Sequence, residues 1–97
     1  MADKGFALEI LTPEKTVFSA EVISLIAPAA AGYLGVLANH APLVATLTPG
    51  KIICRDPGGT PRTLHSTGSG FLEVHHNRAT ILLDEIGEGQ TLQGLTP

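Results

Sequence analysis

Phe6-Ala7-Leu8-Glu9-Ile10-Leu11 is followed at once by Thr12-Pro13-Glu14-Lys15. Phe6, Leu8 and Ile10 fall on one side of a two-residue period, with Ala7, Glu9 and Leu11 on the other. That alternation reads as an extended strand buried mainly on one face. Pro13 stands where a turn uses its fixed φ, so the stretch predicts a strand and then a turn.

The same grammar repeats outward along the chain. Thr16-Val17-Phe18 opens a short strand, and Glu21 to Ile26 reads as a further one that Pro28 ends. Ala29-Ala30-Ala31 is bracketed too tightly by Pro28 and Gly32 for a helix and is expected to be a loop. In Gly32-Tyr33-Leu34-Gly35-Val36, two glycines three apart in an apolar strand predict a bulge or the close approach of another backbone. Leu43 to Leu47 is a short apolar strand closed by Thr48-Pro49-Gly50. Lys51 to Arg55 alternates again, and Asp56-Pro57-Gly58-Gly59 turns the chain toward a return strand near Thr60 to Ser66. Gly68-Ser69-Gly70 breaks the chain before Phe71 to His75, and His76-Asn77 turns it into Ala79 to Leu83.

No segment carries a sustained apolar stripe of helical period. Roughly eight to ten short strands, with turns spaced by roughly eight to ten residues, signal a sandwich or barrel. The expected fold is all-β, a flattened sandwich or barrel of about ten short strands. Residues 1–85 form this domain in our reading. Residues 86–97, with Gly87, Gly89, Gln90, Gly94 and Pro97, are expected to be a flexible tail.

Composition narrows the function. The chain has 97 residues, room for one core and not for two. It carries six Lys plus Arg against nine Asp plus Glu, for a net charge of −3, and has three Phe, one Tyr and no Trp. Nucleic-acid binding asks for a basic footprint and stacking aromatics, so that class is set aside. No apolar run approaches the length of about 18 residues needed to span a bilayer. The polar start Met1-Ala2-Asp3-Lys4-Gly5 does not read as a signal peptide. A single Cys54 excludes an internal disulfide and fits a reducing compartment. A soluble, intracellular protein is expected.

The chemically suggestive groups do not combine. His75 and His76 are adjacent on a strand end and are expected to point to opposite faces, which keeps them from sharing a metal with His40 or His65. Their hairpin is expected to lie far from His40. Cys54 sits mid-strand beside Ile52 and Ile53 and reads as a small core residue, not a nucleophile. Asp84-Glu85 follow a strand end and face solvent. Gly68-Ser69-Gly70 lacks the Gly-x-Ser-x-Gly pattern of a nucleophile elbow, and Gly58-Gly59 lacks the Lys-Ser/Thr ending of a phosphate loop. No catalytic residues, cofactor or metal are expected.

One segment exceeds generic sandwich grammar: Gly32-Tyr33-Leu34-Gly35-Val36-Leu37-Ala38-Asn39-His40-Ala41-Pro42-Leu43-Val44, followed by Leu47-Thr48-Pro49-Gly50. It resembles the signature of the F-type ATP synthase epsilon subunit, a Gly-x-Leu-Gly strand, a His-Ala-Pro corner and then Pro-Gly. Leu8 to Pro13 with Val17-Phe18 is similar to that family's first strand and turn. Gly68 to Val74 with Ala79 to Leu83 is similar to its closing hairpin. The resemblance covers residues 6–85.

The resemblance implies a non-catalytic rotor subunit that links the gamma subunit to the c-ring and helps couple ion flow to ATP synthesis. It implies a peripheral position on the cytoplasmic face of an energy-transducing membrane, in contact with the membrane only through the complex. Carried over residue by residue, the gamma side comprises Thr12, His40, Ala41 and Pro42. The c-ring side comprises Gly32, Tyr33, Leu34 and Gly35. Relatives commonly read Glu-Gly-Glu-Leu-Gly where this chain has Ala31-Gly32-Tyr33-Leu34-Gly35, so both acidic positions are lost and Tyr33 offers stacking or hydrogen bonding instead. Many relatives continue into two C-terminal helices, and no helical stripe follows here. Two other classes remain on the residues alone: a stand-alone β-sandwich adaptor that binds proteins, and a small metal- or cofactor-dependent barrel enzyme.

Overall fold

The computed structural model describes residues 4–86, and every regular element among them is a strand. The strands are β1 (Phe6–Leu11), β2 (Thr16–Val22), β3 (Ser24–Ala29), β4 (Gly32–Val36), β5 (Leu43–Leu47), β6 (Gly50–Arg55), β7 (Pro61–Ser66), β8 (Gly70–His75) and β9 (Arg78–Leu83). They form one curled sheet in the order β2-β1-β9-β8-β5-β3-β6-β7, with β4 paired to the other side of β3. All pairings are antiparallel except β1 with β9.

The curl makes two layers. β2, β1, β9, β8 and β5 form the first, and β4, β3, β6 and β7 the second. They are joined where Ala29 of β3 meets Leu47 of β5. Side chains of alternate residues meet between the layers, as a strand's period of two requires. Leu8, Ile10, Leu72 and Ile81 come from the first layer, Leu25, Ile52 and Leu64 from the second, and all are fully buried. The alternation expected from Phe6, Leu8 and Ile10 is therefore what the core uses.

Three boundaries differ from the sequence reading. β2 runs unbroken from Thr16 to Val22, because Ser19, Ala20 and Glu21 continue the ladder opposite Glu9, Leu8 and Ala7. The break falls at Ile23, whose N–H donates to the Arg55 carbonyl as the chain crosses from one layer to the other. Pro28 does not end β3 but lies within it, opposite Tyr33. Its carbonyl accepts from the Thr48 N–H at 2.8 Å, on the side where the β6 ladder has already ended at Ile26. A strand residue points its N–H and C=O the same way, so the donor that proline lacks faces a gap between ladders. Ala29 consequently belongs to the strand, and only Ala30-Ala31 make the turn into Gly32, whose φ is 128°.

The hairpins sort every connection to one of two ends. The first end carries the turns at residues 12–15, 30–31, 48–49 and 67–69. The second carries the chain before β1, the segment 37–42 and the turns at 56–60 and 76–77. Ile86, the first residue of the predicted tail, bridges to Ser66 of β7 and packs on the core. Residues 87–97 lie outside the described residues.

Candidate functional site

Among the described residues, the reactive side chains do not come together in one cluster. Cys54 is buried, and burial pushes its thiol up to about 11, so thiolate is scarce at neutral pH. Arg62 pairs with Asp56 at 2.7 Å, and the Asp56 carboxyl is held below its ordinary value, first by the Thr60 N–H at 2.9 Å. These contacts pin the β6–β7 turn. No cluster of three or more potential metal ligands occurs among the described residues.

His75 and His76 correct the expectation that they diverge. Their rings lie 3.7 Å apart and tilted. His76 and Asn77 have φ of 52° and 57°, so strand alternation stops at His75 and the second ring folds back beside the first. Nor is this hairpin remote from His40. The Asn77 carboxamide oxygen accepts from the Asn39 N–H at 2.7 Å, which sets the β8–β9 turn against the segment carrying His40.

The residues expected on the gamma side divide between the two ends. His40, Ala41 and Pro42 occupy the second end, just before β5. The His40 N–H donates to the Leu37 carbonyl at 3.2 Å, and its ring Nδ1 lies 2.7 Å from the Ala41 carbonyl. When Nδ1 donates, Nε2 is left to a partner. Thr12 sits at the first end, closing its turn with Lys15.

An apolar band connects the two groups across the outer face of the first layer. Cross-strand register sets Phe71 beside Leu82 and Leu82 beside Leu11, next to Thr12. Val44, two residues after Pro42, lies on the same face opposite Glu73. Val44, Phe71 and Leu82 are 72%, 54% and 49% exposed. Sequence reading missed this band, because Phe71 and Leu82 look like ordinary strand residues until the neighbouring inward positions Leu72 and Ile81 are seen to fill the core.

The residues expected on the c-ring side lie together on β4, at the first end, though not all are offered outward. Gly32, Tyr33 and Gly35 are exposed, whereas Leu34 is paired with buried Ala27 and packs on the core. The predicted close approach at these glycines is absent among the described residues. A Cβ at Gly32 or Gly35 would meet nothing within 4 Å. Tyr33 is 65% exposed, yet its ring lies back along its own layer. Its hydroxyl stands 3.4 Å from where a Cβ on Gly50 would be, beside Pro28.

Known proteins place this architecture. Residues 5–89 match the family described as ATP synthase, Delta/Epsilon chain, beta-sandwich domain. The chain belongs to that family. Among its relatives, the ATP synthase epsilon chain of Dichelobacter nodosus is 40% identical over 90% of this chain and 60% of its own length. That of Pelotomaculum thermopropionicum is 46% identical over 84% of this chain, again 60% of its own length. The Chlorobaculum tepidum epsilon chain is 42% identical, covering 88% of this chain and 96% of its own length. The chain thus spans about three-fifths of some epsilon relatives and nearly all of another. The delta/epsilon sandwich fold also recurs in a chain of the Euglena gracilis mitochondrial ATP synthase. That match has a TM-score of 0.80 at 19% identity and covers 99% of this chain and 59% of the other.

Proposed function

We propose that this chain acts as a non-catalytic rotor-stalk subunit of an F-type ATP synthase, bridging the gamma subunit and the c-ring on the cytoplasmic face of the membrane. Membership of the delta/epsilon family supports the class. The observation that carries the reading is the set of exposed Val44, Phe71 and Leu82 with half-buried Leu11, on the face between His40–Pro42 and Thr12. Exposed apolar side chains grouped in this way on a small domain suit a protein partner. An elongated partner lying along the band would touch both groups at once. Gamma is assigned to that face. The β4 surface of Gly32, Tyr33 and Gly35, at the first end, is assigned to the polar loops of the c-ring. With no acidic side chain there, Tyr33 supplies aromatic and hydroxyl contacts in place of an ion pair.

The test is binding of purified gamma subunit from the same organism, with thermal melting run alongside. Phe71→Ser and His40→Ala are each expected to weaken binding by about 2 kcal/mol, roughly thirtyfold, while the domain stays folded. Lys51→Ala, exposed on the other layer, is the control. No binding by the unaltered chain would defeat the rotor-stalk reading. A loss of melting temperature without loss of binding would reduce His40 to a structural part of its corner.

A further inference from the structure

At the second end, beside the His40 corner, a groove of about 490 Å³ opens between two segments. Lys4 lines one side, just ahead of β1. Leu37 and Asn39 line the other, and Ser24 and Arg55 of the second layer form the floor. The sequence reading quoted Leu37 and Asn39 only as part of the Gly32–Val44 segment and gave none of these residues a role.

The groove pairs charge with apolar surface. Lys4 and Arg55 are two of only six basic side chains in a chain of net charge −3. Neither makes an ion pair among the described residues; Arg55 donates from Nη1 to the Gly59 carbonyl at 2.8 Å and keeps further N–H groups for another acceptor. Of the carboxylates described on this side, Glu21 lies against Gly5, and that of Asp56, next to Arg55 in the chain, is taken up by Arg62 and the Thr60 N–H. Leu37, between the cations and His40, is 64% exposed.

Asn77 holds the two walls in place. Its Oδ1 accepts from the Asn39 N–H at 2.7 Å, and its Nδ2 donates to the Gly5 carbonyl at 3.0 Å. Its own carbonyl accepts from the Ala7 N–H at 3.3 Å. One carboxamide thereby ties the wall carrying Lys4 to the wall carrying Leu37 and Asn39. Asparagine suits the position because it tolerates the φ of 57° and supplies one acceptor and one donor at the same time.

We propose that this groove is a docking cleft for an acidic side chain, flanked by an apolar residue, on the protein that binds the His40 corner, with Asn77 as the positioning residue that sets its width. The inference rests on the rotor-stalk reading and deepens it, giving the partner's contact a chemistry: a carboxylate between Lys4 and Arg55, and an apolar neighbour on Leu37. Charge complementarity of this kind sets register and on-rate and is weakened by salt.

The experiment uses the same gamma subunit as probe, in low and high salt, with five new variants beside Phe71→Ser. Lys4→Glu and Arg55→Glu are expected to weaken binding about tenfold each at low salt, and less at high salt. Lys51→Glu makes the same charge change outside the groove and is expected to change affinity less than about twofold. Asn77→Gly keeps the positive φ but deletes both side-chain bonds. It is expected to weaken binding about tenfold with little change in melting temperature, and to speed hydrogen exchange at the Asn39 amide. Asn77→Asp keeps the acceptor for Asn39 but loses the donor to Gly5 and adds a negative charge beside the groove, so it should restore that protection without restoring the affinity. If the unaltered chain fails to bind gamma, the rotor-stalk reading and this cleft both fall. If it binds, and Phe71→Ser weakens it while Arg55→Glu and Asn77→Gly match the unaltered chain, the cleft alone is overturned.

Discussion

Strands β4 and β8 each carry a glycine, Gly35 and Gly70, and the two stand in opposite surroundings. At Gly70 a Cβ would fall on the Leu82 carbonyl oxygen and stand 3.1 Å from the Leu83 Cα. The residue is buried where β8 passes between β5 and β9, paired with Leu47 on one side and Leu83 on the other. At Gly35 a Cβ would meet nothing. A glycine in a strand reports that something must come close or that a surface must stay bare, and the sequence alone does not say which. In β8 the close backbone belongs to this chain and the glycine serves stability. In β4 the surface is open, which is where our reading puts a partner.

The largest effect expected from this contrast is at Gly70. Gly70→Ala forces the β8–β9 ladder apart and should lower stability by about 3 kcal/mol, measured by urea unfolding. Gly35→Ala should change it by less than about 0.5 kcal/mol. Equal costs at the two sites would break the comparison. Gly35→Val sharpens it, since a branched side chain on a bare strand leaves melting intact yet should abolish assembly with the c-ring. Retained assembly would mean that β4 is not an interface.

Smaller effects separate inward from outward groups on one strand and its turn. Cys54 faces the core, and its thiol is raised from 9.0 to about 11. A group whose folded value lies above its unfolded one stabilises the fold below the unfolded value and loses that contribution as pH rises toward the folded one. Stability should therefore decline between pH 9 and about 11, and Cys54→Ala should flatten that limb in pH-dependent unfolding. Asp56, in the following turn, has the opposite sign. Its carboxyl is held down, chiefly by the Thr60 N–H, so its contribution is present above the ordinary carboxylate range of about 4 and fades as pH falls below it. Asp56→Asn should remove that acid limb, the slightest change of the set because the group is only half-buried and water screens it.

The sequence was most legible where a local pattern maps directly onto geometry. Alternation in Phe6-Ala7-Leu8-Glu9-Ile10 named the inward side chains of β1, and Asp56 to Gly59 and His76-Asn77 named their turns. It failed at Pro28, because only the neighbouring ladders show that the missing N–H faces a gap. It also failed at His75 and His76, whose rings meet because the turn's positive φ overrides alternation.

The Gly32 to Pro42 motif pointed to the correct family; of its residues Gly32, Tyr33, Gly35, Ala41 and Pro42 are exposed, His40 is half-buried and Leu34 packs on the core. What the sequence determined by itself was the strand grammar, the all-β class and the family, since each is carried by residue type at short spacing. Tertiary structure alone decided that Thr12 and His40 sit at opposite ends, that Phe71, Leu82 and Leu11 are neighbours on one face, and that Asn77 meets Gly5, 72 residues before it, and Asn39, 38 residues before it. Those juxtapositions depend on register between strands distant in sequence, and a period of two fixes which face a side chain takes without fixing its neighbours.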